Sequence, residues 1–329
     1  MSVPKILAIG KGTQDVFLRS DEFDPHKEGK HVYTHLPLGL KMEVEDVTFG
    51  TGGNATNVAT TFARQGLESA YMWALGENDP ASRTIVHELD NEGVDTTHVV
   101  HNEKYQAGYS VIMIATNGER TILNHRGRGV SKGGKELDLS VIEHYDWVYP
   151  TSLGDGGLTL LRRVLDEAEK SGTKVMLNPA GPELADADRL KSLLEAVDVL
   201  CVNKEEMKML VHGETLEELA LHALNYVPVA IVSDGPNGVV ATDGKTIVRA
   251  GMYEDVPVID RTGAGDAFAS GFLSQWAQGK SLRDSIIFAS ANSTSVVTKI
   301  GAKAGILRRR TKLHEMPIHE KPVNIRKDS

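Results

Sequence analysis

Asp260-Arg-Thr-Gly-Ala-Gly-Asp266 stands directly before a helical pattern whose inward stripe includes Phe268 and Phe272. Gly263 and Gly265 carry no Cβ, so the backbone N–H groups of the first turn can converge on an anion. The helix dipole adds to that attraction. The stretch therefore predicts a phosphate-binding turn at the N-terminus of a helix.

Asp266 is out of place if this turn only holds phosphate, because its carboxylate would repel the ligand. The carboxylate is explained if it accepts a proton from a hydroxyl that attacks the bound phosphate. The residues also allow a plainer interpretation, a capped helix after a glycine turn with Asp266 complementing the dipole. Spacing alone does not decide between the two.

The rest of the chain alternates between apolar strands and helices. This alternation predicts one α/β domain, a doubly wound and mostly parallel sheet with helices on both faces. Lys5 to Gly10 is predicted to be a buried first strand and its turn. The other predicted strands are 69–75, 147–149, 174–177, 199–202 and 229–232, and the predicted helices are 54–65, 80–91, 158–170, 189–196, 214–224, 264–278 and 281–298.

Two early segments, about 12–49 and 105–126, interrupt the alternation with short β-prone pieces. The second predicts a hairpin with its turn at Thr116-Asn-Gly118. Together they predict a small β-sheet outside the main layer that acts as a lid. Residues 1–306 are assigned to the domain and 307–329 to a polar, basic surface tail.

A second glycine-rich stretch, Gly50-Thr-Gly-Gly-Asn54-Ala-Thr-Asn57, leads into the helix predicted from residue 54. Gly52 and Gly53 permit close backbone approach, while Asn54 and Asn57 share one helix face and can bond hydroxyl groups. Hydroxyls suggest a sugar. The alternative is an asparagine N-cap with Asn57 facing solvent.

Composition narrows the class of partner. The 329 residues carry a formal net charge of −9, whereas binding to nucleic acid or an anionic membrane depends on a basic surface. Cys201 is the single cysteine, which excludes an internal disulfide and fits a reducing compartment. No long apolar run or leader pattern is present, so we expect a cytoplasmic protein that binds a small molecule and neither nucleic acid nor membrane.

The two glycine-rich stretches together resemble the signatures of the ribokinase-like (PfkB) carbohydrate kinases. Gly52, Gly53 and Asn57 match G-G-x-x-x-N, and 260–268 matches D-T-x-G-A-G-D-x-F except that Arg261 replaces the common threonine. Smaller matches lie between and beyond them, from about residue 5 to 306: Asn178-Pro-Ala180, Asn203-Lys-Glu-Glu206, Ser233-Asp-Gly235 with Gly238, and Asn292 with Gly301-Ala302.

The resemblance implies an ATP-dependent kinase that transfers the γ-phosphoryl group to a sugar hydroxyl. Asp266 would be the catalytic base, and the backbone of Gly263, Ala264 and Gly265 would form the anion hole. The other implied contacts are Asp15, Gly52, Gly53, Asn54 and Asn57 for the substrate, Asn203, Ser233, Gly235, Gly238, Thr262 and Asn292 for the nucleotide, Glu206 for Mg²⁺ through water, and Asp260 for a monovalent cation such as K⁺.

The acceptor is less sharply defined. Arg126 could meet a carboxylate or phosphate, which would favour an acid sugar such as 2-keto-3-deoxygluconate or a sugar phosphate. An exposed loop arginine is an equal alternative, and ribose-like or fructose-like sugars and adenosine-like nucleosides stay open. Because the lid exposes faces and edges that are a liability in a monomer, the sequence also predicts a homodimer joined through the lids.

Two other classes are weighed against the kinase. Gly10-Lys-Gly12 after the first strand resembles a dinucleotide-binding fingerprint of an NAD-dependent oxidoreductase, but Asp15 stands at the third glycine position and no helix follows. A catalytically silent sugar-binding protein with the same fold is the other alternative. The intact Asp266 and anion hole weigh against it.

Overall fold

The computed structural model describes residues 2–29, 31–116, 119–251 and 256–323. In chain order the strands are β1 Lys5–Ile9, β2 Thr13–Arg19, β3 His26–Glu28, β4 His31–Tyr33, β5 Asp46–Gly52, β6 Glu68–Met72, β7 Ala74–Leu75, β8 Val100–His101, β9 Gly108–Ile114, β10 Arg120–His125, β11 Trp147–Pro150, β12 Lys174–Leu177, β13 Val199–Asn203, β14 Val229–Ser233, β15 Val239–Thr242, β16 Thr246–Ala250 and β17 Ile318–Pro322.

The α-helices are α1 Asn54–Arg64, α2 Pro80–Asn91, α3 Gly157–Ser171, α4 Gly181–Leu184, α5 Ala187–Lys191, α6 Lys204–Leu210, α7 Leu216–Ala223, α8 Ala264–Trp276 and α9 Leu282–Val296. Among the described residues, the sequence located each helix of eight residues or more, and its predicted helix at 189–196 overlaps the shorter α5. It missed the short α4 and α6. Within the described ranges, no helix combines the length and the apolar character needed to cross a bilayer.

The main sheet has nine strands in the order β17-β16-β15-β14-β13-β12-β11-β1-β6. Six neighbouring strands of this sheet, β6, β1, β11, β12, β13 and β14, run parallel to one another. The remaining three, β15, β16 and β17, are added antiparallel beyond β14. The chain moves from β1 to β6 in one direction and from β11 towards β14 in the other. Since parallel crossovers are right-handed, the two directions place their helices on opposite faces.

The predicted doubly wound α/β fold is therefore confirmed. Its switch point lies between β1 and β11, where connections diverge and a ligand crevice is expected. Gly10 follows β1 and Thr151 follows β11, and the Thr151 backbone N–H donates to the Ile9 carbonyl. The carboxyl ends of both strands are thus joined at the floor of this crevice.

The core fixes α1 to the sheet at the same place. Phe62 of α1 and Tyr149 of β11 are both fully buried, and their rings meet edge to face with centroids 5.8 Å apart. α1 also packs on α8, and α8 packs on α9. The two helices that begin with glycine-rich turns are consequently neighbours on one face of the sheet.

The predicted second sheet is also present, with the strand order β10-β9-β2-β5. β2 is its centre, antiparallel to β5 and parallel to β9. We call this four-stranded sheet the lid. Of the predicted hairpin turn between β9 and β10, residues 117 and 118 lie outside the described residues.

The predicted surface tail needs a correction. Ile318–Pro322 forms β17 and pairs with β16 at the edge of the main sheet. Only Ile318 packs against the core, and the other residues of the strand are exposed. A polar edge strand carries little apolar alternation, so its pattern does not distinguish it from a tail.

Candidate active site

Asp266 lies in the first turn of α8, where the sequence placed it. The turn enters the helix through Gly263 with a φ of 77°, a left-handed conformation that favours glycine. A Cβ at Gly263 would also overlap Ala302, whereas a Cβ at Gly265 would meet no heavy atom within 4 Å. The backbone of the turn is thus packed on one side and open on the other.

Two side chains of α1 hold the Asp266 carboxylate. The Asn54 amide donates to Asp266 Oδ1 at 2.9 Å, and the Asn57 amide donates to Oδ2 at 2.8 Å. The sequence assigned both asparagines to substrate hydroxyls. The structure brings them together with the predicted base, so each of the two glycine-rich stretches completes the other.

Burial raises the pKa of Asp266 to about 6, while the hydrogen bonds from Asn57 and Asn54 act in the lowering direction. Such a carboxyl is mostly ionised at neutral pH and accepts a proton more readily than an ordinary aspartate. Its environment is therefore suited to a general base.

Asn57 also has an unsatisfied group. Its Oδ1 is buried without a hydrogen-bond partner among the described residues. Buried polar atoms are rarely left unpaired, so a ligand hydroxyl or a water molecule would satisfy this oxygen.

Asp15 reaches the same region from β2 in the lid. Its carboxylate is buried against Gly52, where a Cβ would overlap Oδ2, and it accepts a hydrogen bond from Thr13 Oγ1 at 3.3 Å. Burial raises the pKa of Asp15, and hydrogen bonds from Ser110 and Thr13 oppose the shift. Gly53 has a φ of 91° and lies so close to the backbone of Lys11 and Gly12 that a Cβ at this position would overlap it.

A cavity of about 270 Å³ opens beside the predicted anion hole. It is bounded by Ala264 and Gly265 at one end and by the predicted nucleotide residues Ser233, Gly235 and Gly238 at the other. Apolar side chains make up much of its wall: Val239, Val256, Val258, Phe268 and Val297. Among the described residues that line it, Arg261 alone carries a charge.

Three other predicted nucleotide residues are engaged elsewhere. Asn292 is fully buried behind α8, donating to the Ala267 carbonyl at 2.7 Å and accepting from the Leu307 N–H at 2.8 Å. Asn203 caps α6, and Thr262 bonds Asp260 through both its N–H and its hydroxyl. None of them is among the residues that line the cavity.

The predicted magnesium residue, Glu206, belongs to the same capping box as Asn203. Glu206 Oε2 accepts from the Asn203 N–H at 2.9 Å, and the Asn203 Oδ1 accepts from the Glu206 N–H at 3.0 Å. Burial raises the pKa of Glu206. Across the part of the chain that the structure describes, no three histidine, cysteine or acidic side chains gather as a metal site.

Asp260, the predicted cation ligand, is buried and already bonded. Its Oδ1 accepts from Thr262, its Oδ2 accepts from the Gly301 N–H at 3.0 Å, and Arg120 Nη1 lies 3.6 Å from Oδ1. Both carboxylate oxygens have protein partners, and one of these is a cation. The residues present do not fit a monovalent cation at Asp260.

Sequence reasoning missed Lys11 and Arg120. Lys11 lines a small pocket with Arg126, at the carboxyl end of β1 where open α/β sheets bind ligands. This position directly after β1 is the sequence feature that could have identified Lys11 as a candidate binding residue. Arg120 gave no signal, because its contact with Asp260 crosses from the lid to the α8 turn.

Comparison with known proteins agrees with this geometry. The chain matches the description "pfkB family carbohydrate kinase" over residues 18–308. It is 27% identical to a ribokinase of Haemophilus influenzae over 285 residues, covering 84% of this chain and 90% of the relative. It is also 27% identical to an ATP-dependent ribose-1-phosphate kinase of Halopiger xanaduensis over 300 residues, covering 91% and 94%.

A solved structure of Arabidopsis thaliana ribokinase complexed with ribose and ATP superimposes with a TM-score of 0.75. The two chains are 21% identical, and the match covers 94% of this chain and 97% of the other. The fold is thus the ribokinase-like α/β fold.

The protein is a phosphotransferase with a hydroxyl acceptor. It belongs to the pfkB family of carbohydrate kinases, and the resemblance seen in the sequence is confirmed. The dinucleotide-binding oxidoreductase alternative is wrong.

The raised pKa of Asp266 gives a testable pH dependence. We expect kcat/KM to fall as the pH is lowered through about 6, because the protonated carboxyl cannot accept a proton. Asn57→Leu removes an amide that stabilises the ionised form, so it should move this acid limb to higher pH. The measurement is the pH profile of kcat/KM for ADP release.

Asn91→Leu, at an exposed amide on α2, is the matched control and should keep the wild-type profile. An acid limb that stays at the same pH in Asn57→Leu would contradict the assignment of Asp266.

Proposed function

We propose that the protein transfers the γ-phosphoryl group of ATP to a sugar hydroxyl, with Asp266 as the base. The observation that carries the proposal is the contact of both α1 asparagines with the Asp266 carboxylate. It joins a hydroxyl-binding motif to a phosphate-binding turn in one site.

In the proposed reaction the acceptor hydroxyl lies against Asp266, and Asp15 and Asn57 orient the sugar. Asp266 takes the hydroxyl proton as the oxygen attacks phosphorus. The backbone N–H groups of Gly263, Ala264 and Gly265 receive the charge that develops on the transferred group.

The nucleotide would occupy the cavity beside this turn. Its apolar wall suits a base and ribose, and Ser233, Gly235 and Gly238 allow close approach of the backbone. Arg261 would meet the triphosphate, because it is the one charged side chain among the described residues that line the cavity. Phosphates would therefore point towards the N-terminus of α8.

Glu206 is the residue proposed to reach Mg²⁺ through water. One of its oxygens is used in the capping box, so the other, Oε1, would accept from a metal-bound water. When bound, the ion would neutralise phosphate charge. The proposed enzyme would be cytoplasmic, since its single cysteine, Cys201, is buried and free.

Asp266→Asn tests the base. The substitution keeps the shape of the side chain but removes its capacity to take a proton, so we expect kcat to fall by about 10²–10⁴. Binding of ATP and of the acceptor, measured by calorimetry, should change little. Near-normal turnover in this variant would contradict the mechanism.

A second candidate is favoured by Lys11 and Arg126, which line one small pocket beside Gly12 and Thr13. Among the described residues, no acidic side chain lines that pocket, and neither Lys11 nor Arg126 has an ion pair. Two unpaired cations favour a phosphate or carboxylate on the acceptor. An acid sugar or a sugar phosphate is then the substrate, in keeping with the name of the Halopiger relative.

A thermal-shift screen with an ATP analogue separates the two candidates. Sugar phosphates and acid sugars should raise the melting temperature more than ribose, fructose or adenosine if Lys11 and Arg126 bind an anion. Arg126→Gln should cancel the difference between charged and neutral sugars. If neutral sugars stabilise the protein equally or better, the anionic acceptor is wrong.

We also propose a homodimer joined through the lids. The face of the lid opposite Asp15 carries exposed apolar side chains, with Phe49 66% exposed and Leu123 56% exposed. Val47 and Tyr109 lie on the same face by the strand register. An apolar patch of this kind marks an interface, and two copies of one patch can pair about a two-fold axis.

Light scattering tests the homodimer. The wild-type chain should give the mass of a dimer at micromolar concentration, and Phe49→Glu with Leu123→Glu should give a monomer. Met209→Glu, at an exposed apolar residue on α6, is the control and should stay dimeric. A monomeric wild-type chain would refute the proposal.

A further inference from the structure

Asp260 is the buried charge that organises the anion-hole turn. Only 3% of its side chain is exposed. Its Oδ1 accepts a hydrogen bond from the Thr262 backbone N–H, and its Oδ2 accepts one from the Gly301 backbone N–H. Gly263 packs against Ala302 directly beyond these bonds. One carboxylate thus clamps the turn before α8 to the segment after α9.

A buried carboxylate needs hydrogen bonds and a compensating positive charge. The hydrogen bonds come from the neighbouring loop, but the charge comes from the lid. Arg120 of β10 places Nη1 3.6 Å from Asp260 Oδ1, with 33% of the arginine side chain exposed. Arg261, the adjacent arginine in sequence, is exposed and lines the nucleotide cavity instead.

The position of Arg120 is fixed by packing next to it. Arg120 pairs with Ile114 in the β9–β10 register. Ile114 forms an apolar cluster with Phe17 and Ile112 of the lid, and Ile300 packs against this cluster. The lid therefore contacts the segment after α9 through apolar side chains and contacts Asp260 through one guanidinium.

We propose that Arg120 is a positioning residue whose guanidinium takes the place of a bound monovalent cation at Asp260 and ties the lid to the anion-hole turn. Phosphoryl transfer then needs no monovalent cation. A cation added at Asp260 would lie beside the guanidinium and be repelled by it. The expected effect on turnover rests on the proposed function, in which the turn before α8 is the anion hole. The replacement of a cation by Arg120 at Asp260, which we call the charge exchange, does not depend on that function.

Two salts of equal ionic strength, potassium chloride and tetramethylammonium chloride, test the proposal. Wild-type kcat and melting temperature should be the same in both. Arg120→Gln in tetramethylammonium should lose about tenfold or more in kcat, because a buried charge loses its partner, with both KM values nearly unchanged. Potassium should restore part of this loss and should raise the melting temperature of this variant alone.

Arg19→Gln is the matched control, since Arg19 is an exposed lid arginine opposite the same Ile114. It should match the wild type in both salts. Arg120→Lys keeps the positive charge, so its kcat and melting temperature should not depend on potassium. This variant tests the proposal even if Arg120→Gln fails to fold.

The proposal is overturned if potassium activates or stabilises the wild-type protein, or if Arg120→Gln behaves like Arg19→Gln. The melting temperatures decide the charge exchange without any turnover. A wild-type protein that phosphorylates no sugar in either salt would instead refute the proposed function.

Discussion

The site depends on keeping one carboxylate ionised away from water. Burying an ionised group is costly unless hydrogen bonds replace its hydration, and for Asp266 these come from Asn54 and Asn57. The donors and the acceptor lie on different helices, far apart in sequence. The contact between α1 and α8 is therefore a condition for the site as well as a product of the fold.

That contact is possible because backbone comes close to backbone at both helix starts. A Cβ at Gly53 would overlap the Lys11 and Gly12 backbone, and a Cβ at Gly263 would overlap Ala302. Each helix is thus held against a neighbouring loop by its own entry turn. This packing by itself requires glycine at both positions, which explains why Gly53 and Gly263 stand immediately before the two helices.

The sequence predicted what is encoded locally. Glycine turns, helix starts and apolar strands are short-range patterns, so α1, α8 and the parallel sheet could be located from them. The hydrogen-bond and ion-pair partner of a side chain depends on tertiary contacts, and these could not be predicted from local patterns. Asn292 was predicted to bind the nucleotide, whereas in the structure its amide bonds the protein backbone. Arg120 could not be paired with Asp260, because no local sequence pattern near either residue indicates the contact. β17 was not predicted, because a polar and mostly exposed edge strand has little of the apolar alternation that identifies strands.

Three aspartates, Asp15, Asp260 and Asp266, are buried, and their partners differ in a way that suits different roles. Asp260 has the guanidinium of Arg120, and Asp15 has hydroxyl groups with the positive charge of Lys303 nearby. Among the described residues, the Asp266 carboxylate is hydrogen-bonded only by the neutral amides of Asn54 and Asn57. A cation beside Asp266 would lower the pKa of its carboxyl and weaken it as a proton acceptor. Orienting this carboxylate with asparagines instead keeps it both in place and basic.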